Sequence, residues 1–402
     1  MTQSAPAGAL TGTKVIDVSR VLGGPSCGQM LADHGADVIK VEPPQGDDTR
    51  AWGPPFQDGL SAYFAGTNRN KRAIALDIAK PEGRAVLLRL LAEADVLVEN
   101  FKTGTLEKWD LGYEAVLRER FPRLVHCRVT GFGASGPFGG FPGYDAIVQV
   151  WAGLMSVNGA PESGPVRLGI PLVDLATGLN ATVGILLALL ERSRSGRGQS
   201  VEVALFDTAV ALQHPHAANW FMSGEAPRLT GNGHPNIVPY DLYPTTGRKI
   251  FIGAGNNAQF RKLCATLGKP ELAEDPRFRT NQDRLVHRAE IGAEIAALVA
   301  PCDGEELAAR LMRAGVPAGA ALTIPDVLTH PHTLHREMVV EKDGYRGTGI
   351  PVKLSRTPGS VRAAPPRFAA DNDAVLREAG FTPEEIAALR TTGVLADTPA
   401  KA

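Results

Sequence analysis

The sequence predicts an α/β fold built on a parallel, doubly wound sheet, and three observations predict it. Short β-branched runs alternate with helix-length apolar-periodic stretches through the first half of the chain. A glycine-rich turn follows the first of those runs, and a long glycine-rich loop follows the run that ends near Val129. The chain has 402 residues, and at about 150 residues per domain this predicts two or three domains.

Thr13 to Val18 (TKVIDV) is a β-branched run, followed by Gly23-Gly24-Pro25, a helical stretch to His34 that stops at Gly35, and the strand Val38 to Val41. A second cycle has the strand Ala73 to Leu76, a helix opened by Pro81 and running to Ala94, and the strand Val96 to Val98. Leu124 to Val129 supplies a further strand, and TGFGASGPFGGFPGYD from Thr130 is a loop after a strand end, where α/β folds place chemistry. A long helix begins near Asp174 and ends at Arg192 to Gly198; Val201 to Val203 returns to the sheet, and 205–222 reads as one more helix. Ser223 to Pro239 is dense in turn residues and is the candidate domain boundary. Beyond it come the strand Ile250 to Ile252 and helices at Ala258 to Leu267, Arg288 to Val299 and Glu305 to Ala314, a smaller domain. The tail from Gly315 returns to mixed structure and ends in the capped helix Thr382 to Arg390, with Pro383 in its first turn and Glu385 at the capping-box position.

Lys and Arg total 42 against 43 Asp and Glu, so no chain-wide field favours nucleic acid or an anionic membrane. Cys27, Cys127, Cys264 and Cys302 have no CxxC spacing, which predicts neither a zinc cluster nor a disulfide framework and fits a reducing cytoplasm. Met1 to Leu10 has no Lys or Arg and no signal-peptide core. The greasy run Val183 to Leu190 is short of the roughly 20 residues that span a bilayer and reads as a buried helix.

Glu42 lies where a ribose-binding acid would follow a dinucleotide turn, but Pro25 has no N–H to offer a pyrophosphate, which argues against nicotinamide binding. Asp174 sits at or near a helix N-terminus, and two readings stay open. It is an N-cap, or it is a carboxylate that the helix terminus keeps ionised for attack on an acyl carbon. Gly231-Asn232-Gly233-His234-Pro235 is an interdomain turn or a mobile flap whose amides close over a reactive intermediate. Asn68 to Arg72 (NRNKR) is a solvated turn or a phosphate grip. The histidines His214, His216, His330, His332 and His335 lack the partners of a metal set, and no metal is expected.

Seven stretches occur together: DVSRVLGGPSCGQMLADHGADVIKVEPPQGDDTR (17–50), NRNKRAIALD (68–77), ADVLVENFKTG (94–104), GYDAIVQVWAGLM (143–155), VDLATG (173–178), GRGQSVEVALFD (196–207) and LGKPELAEDPRF (267–278). In this order they resemble the class III CoA-transferases, the family of carnitine and bile-acid CoA-transferases, formyl-CoA transferase and α-methylacyl-CoA racemase. The resemblance runs from about Leu10 to Val394. It implies a large Rossmann-like domain built from both chain ends, a smaller middle α/β domain and an interlocked homodimer. The boundaries expected are 1–222 for the first part of the large domain, 223–239 for a linker with the glycine loop, 240–315 for the small domain and 316–402 for the return segment. It also implies a coenzyme A thioester and a carboxylic acid as substrates, with no metal, and no nucleic-acid or membrane partner.

By the same resemblance Asp174 is the nucleophile, passing through aspartyl anhydride and aspartyl-CoA thioester, and Tyr144 orients or hydrogen-bonds near it. Gly231 and Gly233 belong to the loop that shields the thioester. Asn100 and Phe101 border the adenosine of CoA; Lys71 and Lys108 lie near its phosphates, the latter a position often held by Arg. Arg20 is placed with these cofactor-binding positions and, like Arg50 and Arg167, is a candidate clamp for a distal carboxylate. The racemase alternative is weakened, because Tyr144 stands where that branch carries His, and Asn256, Asn257 and Ala258 stand where it carries Glu. Leu22 stands where a formyl-CoA enzyme carries Gln, and GNGHPNIVPYDLYPTTGRKIFIGAGNNAQF resembles transferases acting on succinate and other dicarboxylates. A nonenzymatic CoA-binding protein is the remaining alternative, one that would tolerate loss of Asp174.

Overall fold

The computed structural model describes residues 8–400; most of the amino-terminal stretch in which no export signal is expected lies outside the described residues. Six strands form one sheet: β1 (Lys14–Asp17), β2 (Asp37–Glu42), β3 (Lys71–Ala75), β4 (Val96–Glu99), β5 (Val125–Thr130) and β6 (Ser200–Ala204). Their order is β6-β5-β4-β1-β2-β3, with every neighbouring pair parallel. Ile16, Ile39, Ile74 and Leu97 are buried on it, as near-continuous β-branched and aliphatic strands require when helices cover both faces. The order changes direction beside β1, so the chain leaves β1 and β4 on either side of a crevice at their carboxyl ends, where open α/β sheets bind ligands.

The helices used below are α1 (Gly23–Asp33), α2 (Pro81–Leu91), α3 (Asp145–Trp151), α4 (Leu172–Ser195) and α5 (Leu205–Ala211). Pro81 starts α2 because a missing N–H costs nothing in the first turn. The helix expected over 205–222 is broken into Leu205–Ala211 and His216–Ser223, since Pro215 between them cannot continue a helical hydrogen-bond ladder. α4 starts at Leu172, so Asp174 is its third residue and not its N-cap.

The exposed edge of β3 is covered by the end of the chain. The Asp371 carboxylate accepts from Ala73 N–H at 2.8 Å, the Asn372 amide oxygen accepts from Ala75 N–H at 3.0 Å, and Val394 C=O accepts from Asp77 N–H at 2.8 Å. Val375, Leu376, Ile386 and Leu395 join the core around Ile74 and Leu76.

The chain divides into two compact units. One runs to Ala152, resumes over Gly169–Leu212 and closes from Leu334; the other comprises Gly153–Leu168 and Gln213–Thr333. The boundaries expected at 222, 240 and 315 differ from these, and the short excursion before α4 was not expected. Its hairpin, Gly159–Ala160 with Gly164–Pro165, has too few residues and no apolar alternation to register as strands. The second unit has a three-stranded antiparallel sheet of Tyr240–Tyr243, Ile250–Gly253 and Ala318–Ala320, with Phe260, Leu263, Ile291, Ile295, Leu307 and Leu311 buried in its core.

The run Val183–Leu190 is not a buried helix. It lies in the 24-residue α4, which is long and apolar enough to cross a membrane by length and composition, but one face of α4 packs on α1, β5, β6 and α5. Leu175, Leu179, Val183, Leu187 and Leu190 are exposed on the other face.

Candidate active site

The crevice beside β1 holds a cavity of about 280 Å³. Arg20–Gly23 line it from the β1–α1 turn, Asn100–Thr103 from the end of β4, Gly140–Tyr144 from the glycine-rich loop, and Asp174 from the first turn of α4. The loop closes on itself there: a Cβ on Gly131 would stand 2.6 Å from Gly143 N, so only glycine permits that approach.

Asp174 is half-buried, and its carboxylate has no hydrogen-bond partner among the described residues. The capping work is done by another residue. Asp145, at the start of α3, accepts from Val173 N–H at 2.8 Å and from Asp174 N–H at 3.1 Å. Two of the free amides of α4 are thereby satisfied by a neighbouring helix, which leaves the Asp174 side chain free to face the cavity. Burial first, and the adjacent Asp145 charge second, push the Asp174 carboxyl up to about 7. Of the two readings open for Asp174, the N-cap does not hold, and in the other burial and a like charge outweigh the helix terminus that would keep the group ionised. At neutral pH a large fraction is still carboxylate, and its raised basicity makes it a stronger nucleophile than a surface aspartate.

A family model described as CoA-transferase family III matches residues 10–372. The chain belongs to that family. It is 40% identical to a succinate–glutarate CoA-transferase of Agrobacterium fabrum, over 92% of this chain and 95% of that protein. It is 36% identical to a succinyl-CoA–D-citramalate CoA-transferase of Chloroflexus aurantiacus over 98% of this chain and 100% of that one. The crystal structure of a CaiB/BaiF family protein from Brucella suis superposes with a TM-score of 0.84 at 40% identity, covering 93% of this chain and 100% of the other. The protein is therefore an enzyme of the acyl-CoA:carboxylate CoA-transferase class, with a mixed α/β fold and a large parallel sheet.

A second cavity of about 550 Å³ lies over the carboxyl ends of β1, β2 and β3 in the transferase. Arg20, Phe101 and Lys102 line both cavities, and Phe101 packs edge-on against Trp109 with ring centres 5.3 Å apart. Tyr144 is 61% exposed and lines the Asp174 cavity. Asn100 lines it too, but its amide is occupied: it accepts from Arg20 N–H at 2.9 Å and donates to Arg20 C=O at 2.7 Å.

Other expected residues lie elsewhere. Lys71 lines neither cavity; its ammonium has no exposure and donates to Asp17 at 2.9 Å, Pro25 C=O at 2.8 Å and Asn68 at 2.9 Å. The NRNKR stretch is neither a solvated turn nor a grip, because buried carboxylates neutralise it from beneath, Arg69 pairing with Asp33 at 2.7 Å. Arg50 is held by Glu42 at 2.6 and 2.7 Å and stacks on Phe64, which removes it as a clamp and removes Glu42 as a ribose acceptor. Lys108 is exposed and lines neither cavity; Lys102, six residues earlier and overlooked, lines both. Asp145 was overlooked as well, although an acid in the first position of a helix beside Tyr144 was a readable signal.

In the second unit Gly231 has a left-handed backbone at φ 62°, and Arg167 is exposed with its guanidinium on Leu168 C=O at 2.8 Å. Gly233 N–H donates to Thr230 C=O at 3.0 Å, and His234 C=O accepts from Arg288 at 2.9 Å. Asn256 caps the helix Asn257–Thr266, and Asn257 accepts from Arg284 at 3.0 Å, so both serve structure rather than proton transfer.

Proposed function

We propose that the enzyme moves CoA from succinyl-CoA to a second short dicarboxylate, with Asp174 as nucleophile. The observation that carries this reading is the unpartnered Asp174 carboxylate on the wall of the crevice, with its basicity raised toward neutrality. The relatives named for succinate, glutarate and citramalate support the dicarboxylate class.

Asp174 attacks the thioester carbonyl, the C–S bond breaks, and CoA thiolate leaves an aspartyl–acyl anhydride. The thiolate then attacks the Asp174 carbonyl, releasing the donor acid as carboxylate and forming aspartyl-CoA thioester. The acceptor carboxylate attacks that thioester carbonyl and expels the thiolate, which takes the acceptor acyl group and returns Asp174 as carboxylate. No water enters, so thioester energy is conserved. Arg20 and Lys102 supply cations for the CoA phosphates or a distal carboxylate, Phe101 an apolar face for the adenine, and Tyr144 a hydroxyl that orients the acyl group.

The transferase works as a cytoplasmic homodimer. Leu175, Leu179, Val183, Leu187 and Leu190 form a stripe on α4, with Ile147, Val150 and Trp151 of α3 also exposed, and exposed apolar side chains grouped on one helix face mark an interaction surface. Free cysteines, three of them buried, fit a reducing compartment.

Incubation with succinyl-CoA, borohydride trapping and peptide mass analysis test the chemistry. The expected product is a peptide reduced at Asp174 to the alcohol. An unmodified Asp174 peptide under confirmed turnover would overturn the covalent route.

A further inference from the structure

Val21, in the turn that carries the chain from β1 into α1, has φ 70°. A β-branched residue rarely adopts the left-handed region, so surrounding groups must hold it there. Three side chains grip the turn in succession. Lys40 donates to Ser19 C=O at 3.0 Å, Asn100 makes its paired hydrogen bonds to Arg20, and both oxygens of Asp47 accept from Val21 N–H at 3.3 Å. Asp47 is itself fixed: it is 2% exposed, pairs with Lys40 at 2.9 Å, and accepts from Thr49 N–H at 3.0 Å and from the Thr49 hydroxyl at 2.7 Å. Its own N–H donates to Glu42 at 2.9 Å.

The residues this turn delivers, Arg20 to Gly23, form the wall of the cavity that holds Asp174. Gly23 faces Asp174 directly: a Cβ placed on it would stand in van der Waals contact with Asp174 Oδ1, at 3.6 Å. Relaxation of Val21 to an ordinary extended or helical backbone would swing Leu22 and Gly23 relative to the nucleophile.

We propose that Asp47 is a positioning residue for CoA transfer: its buried carboxylate holds Val21 in the left-handed conformation and so sets the Arg20–Gly23 wall against Asp174. The inference rests on the reading of Asp174 as the nucleophile. It places a buried ion pair, outside the reacting atoms, in control of the geometry of the site.

Glycine tests it, because glycine adopts φ near +70° without strain and needs no anchor. Succinyl-CoA to glutarate exchange and thermal melting are measured for wild type, Asp47→Ala, Asp47→Asn, Val21→Gly and the two double variants; Asp47→Asn preserves side-chain volume and an acceptor for Thr49 if the alanine variant does not fold. The expected result is a fall in kcat of about 10–100-fold for the Asp47 variants, the cost of a misplaced site. Val21→Gly alone lowers kcat less than Asp47→Asn does, and added to an Asp47 variant it raises kcat above that of the Asp47 variant alone, toward the Val21→Gly value, without recovering the lost melting temperature. A purely structural Asp47 would show no such separation. No recovery in a folded Asp47 variant, or a loss in Val21→Gly alone as large as that of Asp47→Asn, overturns the inference. Wild-type exchange without glycine rescue overturns this inference alone, whereas no exchange and no Asp174 labelling by wild type overturns the proposed function and the inference with it.

Discussion

At Asp174 two effects oppose each other. A helix N-terminus favours an ionised carboxylate by about 0.3–1 kcal/mol. The rise from 3.8 to about 7 corresponds to roughly 4 kcal/mol against ionisation, which solvent screening at a half-buried site reduces to about 2–3 kcal/mol. Burial and Asp145 therefore win, and the Asp174 carboxyl is mostly protonated below pH 7. With Asp174 as the proposed nucleophile, catalysis should rise with pH to an inflection near 7. In Asp145→Asn the like charge is gone while a carbonyl remains to cap α4, so Asp174 ionises more easily; the inflection in kcat/KM moves down by about one pH unit. A pH–rate profile with an unmoved inflection would show that burial alone sets it. Lys71 gives the complementary case. Lys71→Met leaves Asp17 buried without its partner and should cost about 3–5 kcal/mol in denaturant unfolding, while KM for acyl-CoA in the folded enzyme should stay within a factor of about two, since the ammonium lines neither of the two cavities described. A large selective rise in KM would return Lys71 to the phosphate site.

The two helices that meet at Asp174 do so through glycine. A Cβ on Gly178 of α4 would stand 2.1 Å from Ser26 Oγ and 2.8 Å from Gly23 C=O on α1. Glycine to alanine inside a helix ordinarily stabilises by about 0.8–1 kcal/mol through propensity. Here the backbone oxygen cannot move without α1, and overpacking of about 1–3 kcal/mol decides the sign. Gly178→Ala should lower the melting temperature and reduce kcat, because α1 and α4 carry Gly23 and Asp174 respectively. Unchanged melting and turnover would mean the helices separate freely. Each parallel strand was legible from local pattern to within two residues at its start, as were the Pro81 and Thr382 helix signals and Asp174 near a helix start. That Asp145 and not Asp174 caps α4 was not legible, because the two carboxylates are 29 residues apart and only packing of α3 on α4 brings them together.

The exposed stripe on α4 sets the prediction for the assembly. The transferase should sediment at twice the chain mass, and Leu187→Glu, which puts a charge into that stripe, should dissociate or aggregate it. A wild-type monomer at micromolar concentration would remove the homodimer.

The sequence by itself determined the alternation of strands and helices, the family and the class of reaction, and it put Asp174 near a helix start, because periodicity, turn residues and short motifs are local in the chain. Only the tertiary structure decided which charges reach the cavity. Lys71, Arg50 and Arg69 look equivalent to Lys102 and Arg20 in a sequence, yet Asp17, Glu42 and Asp33 claim the first three in the interior and leave the last two at the crevice. A buried cation needs a counter-charge that the chain brings from a distant strand or helix, and composition carries no record of which acid meets which base.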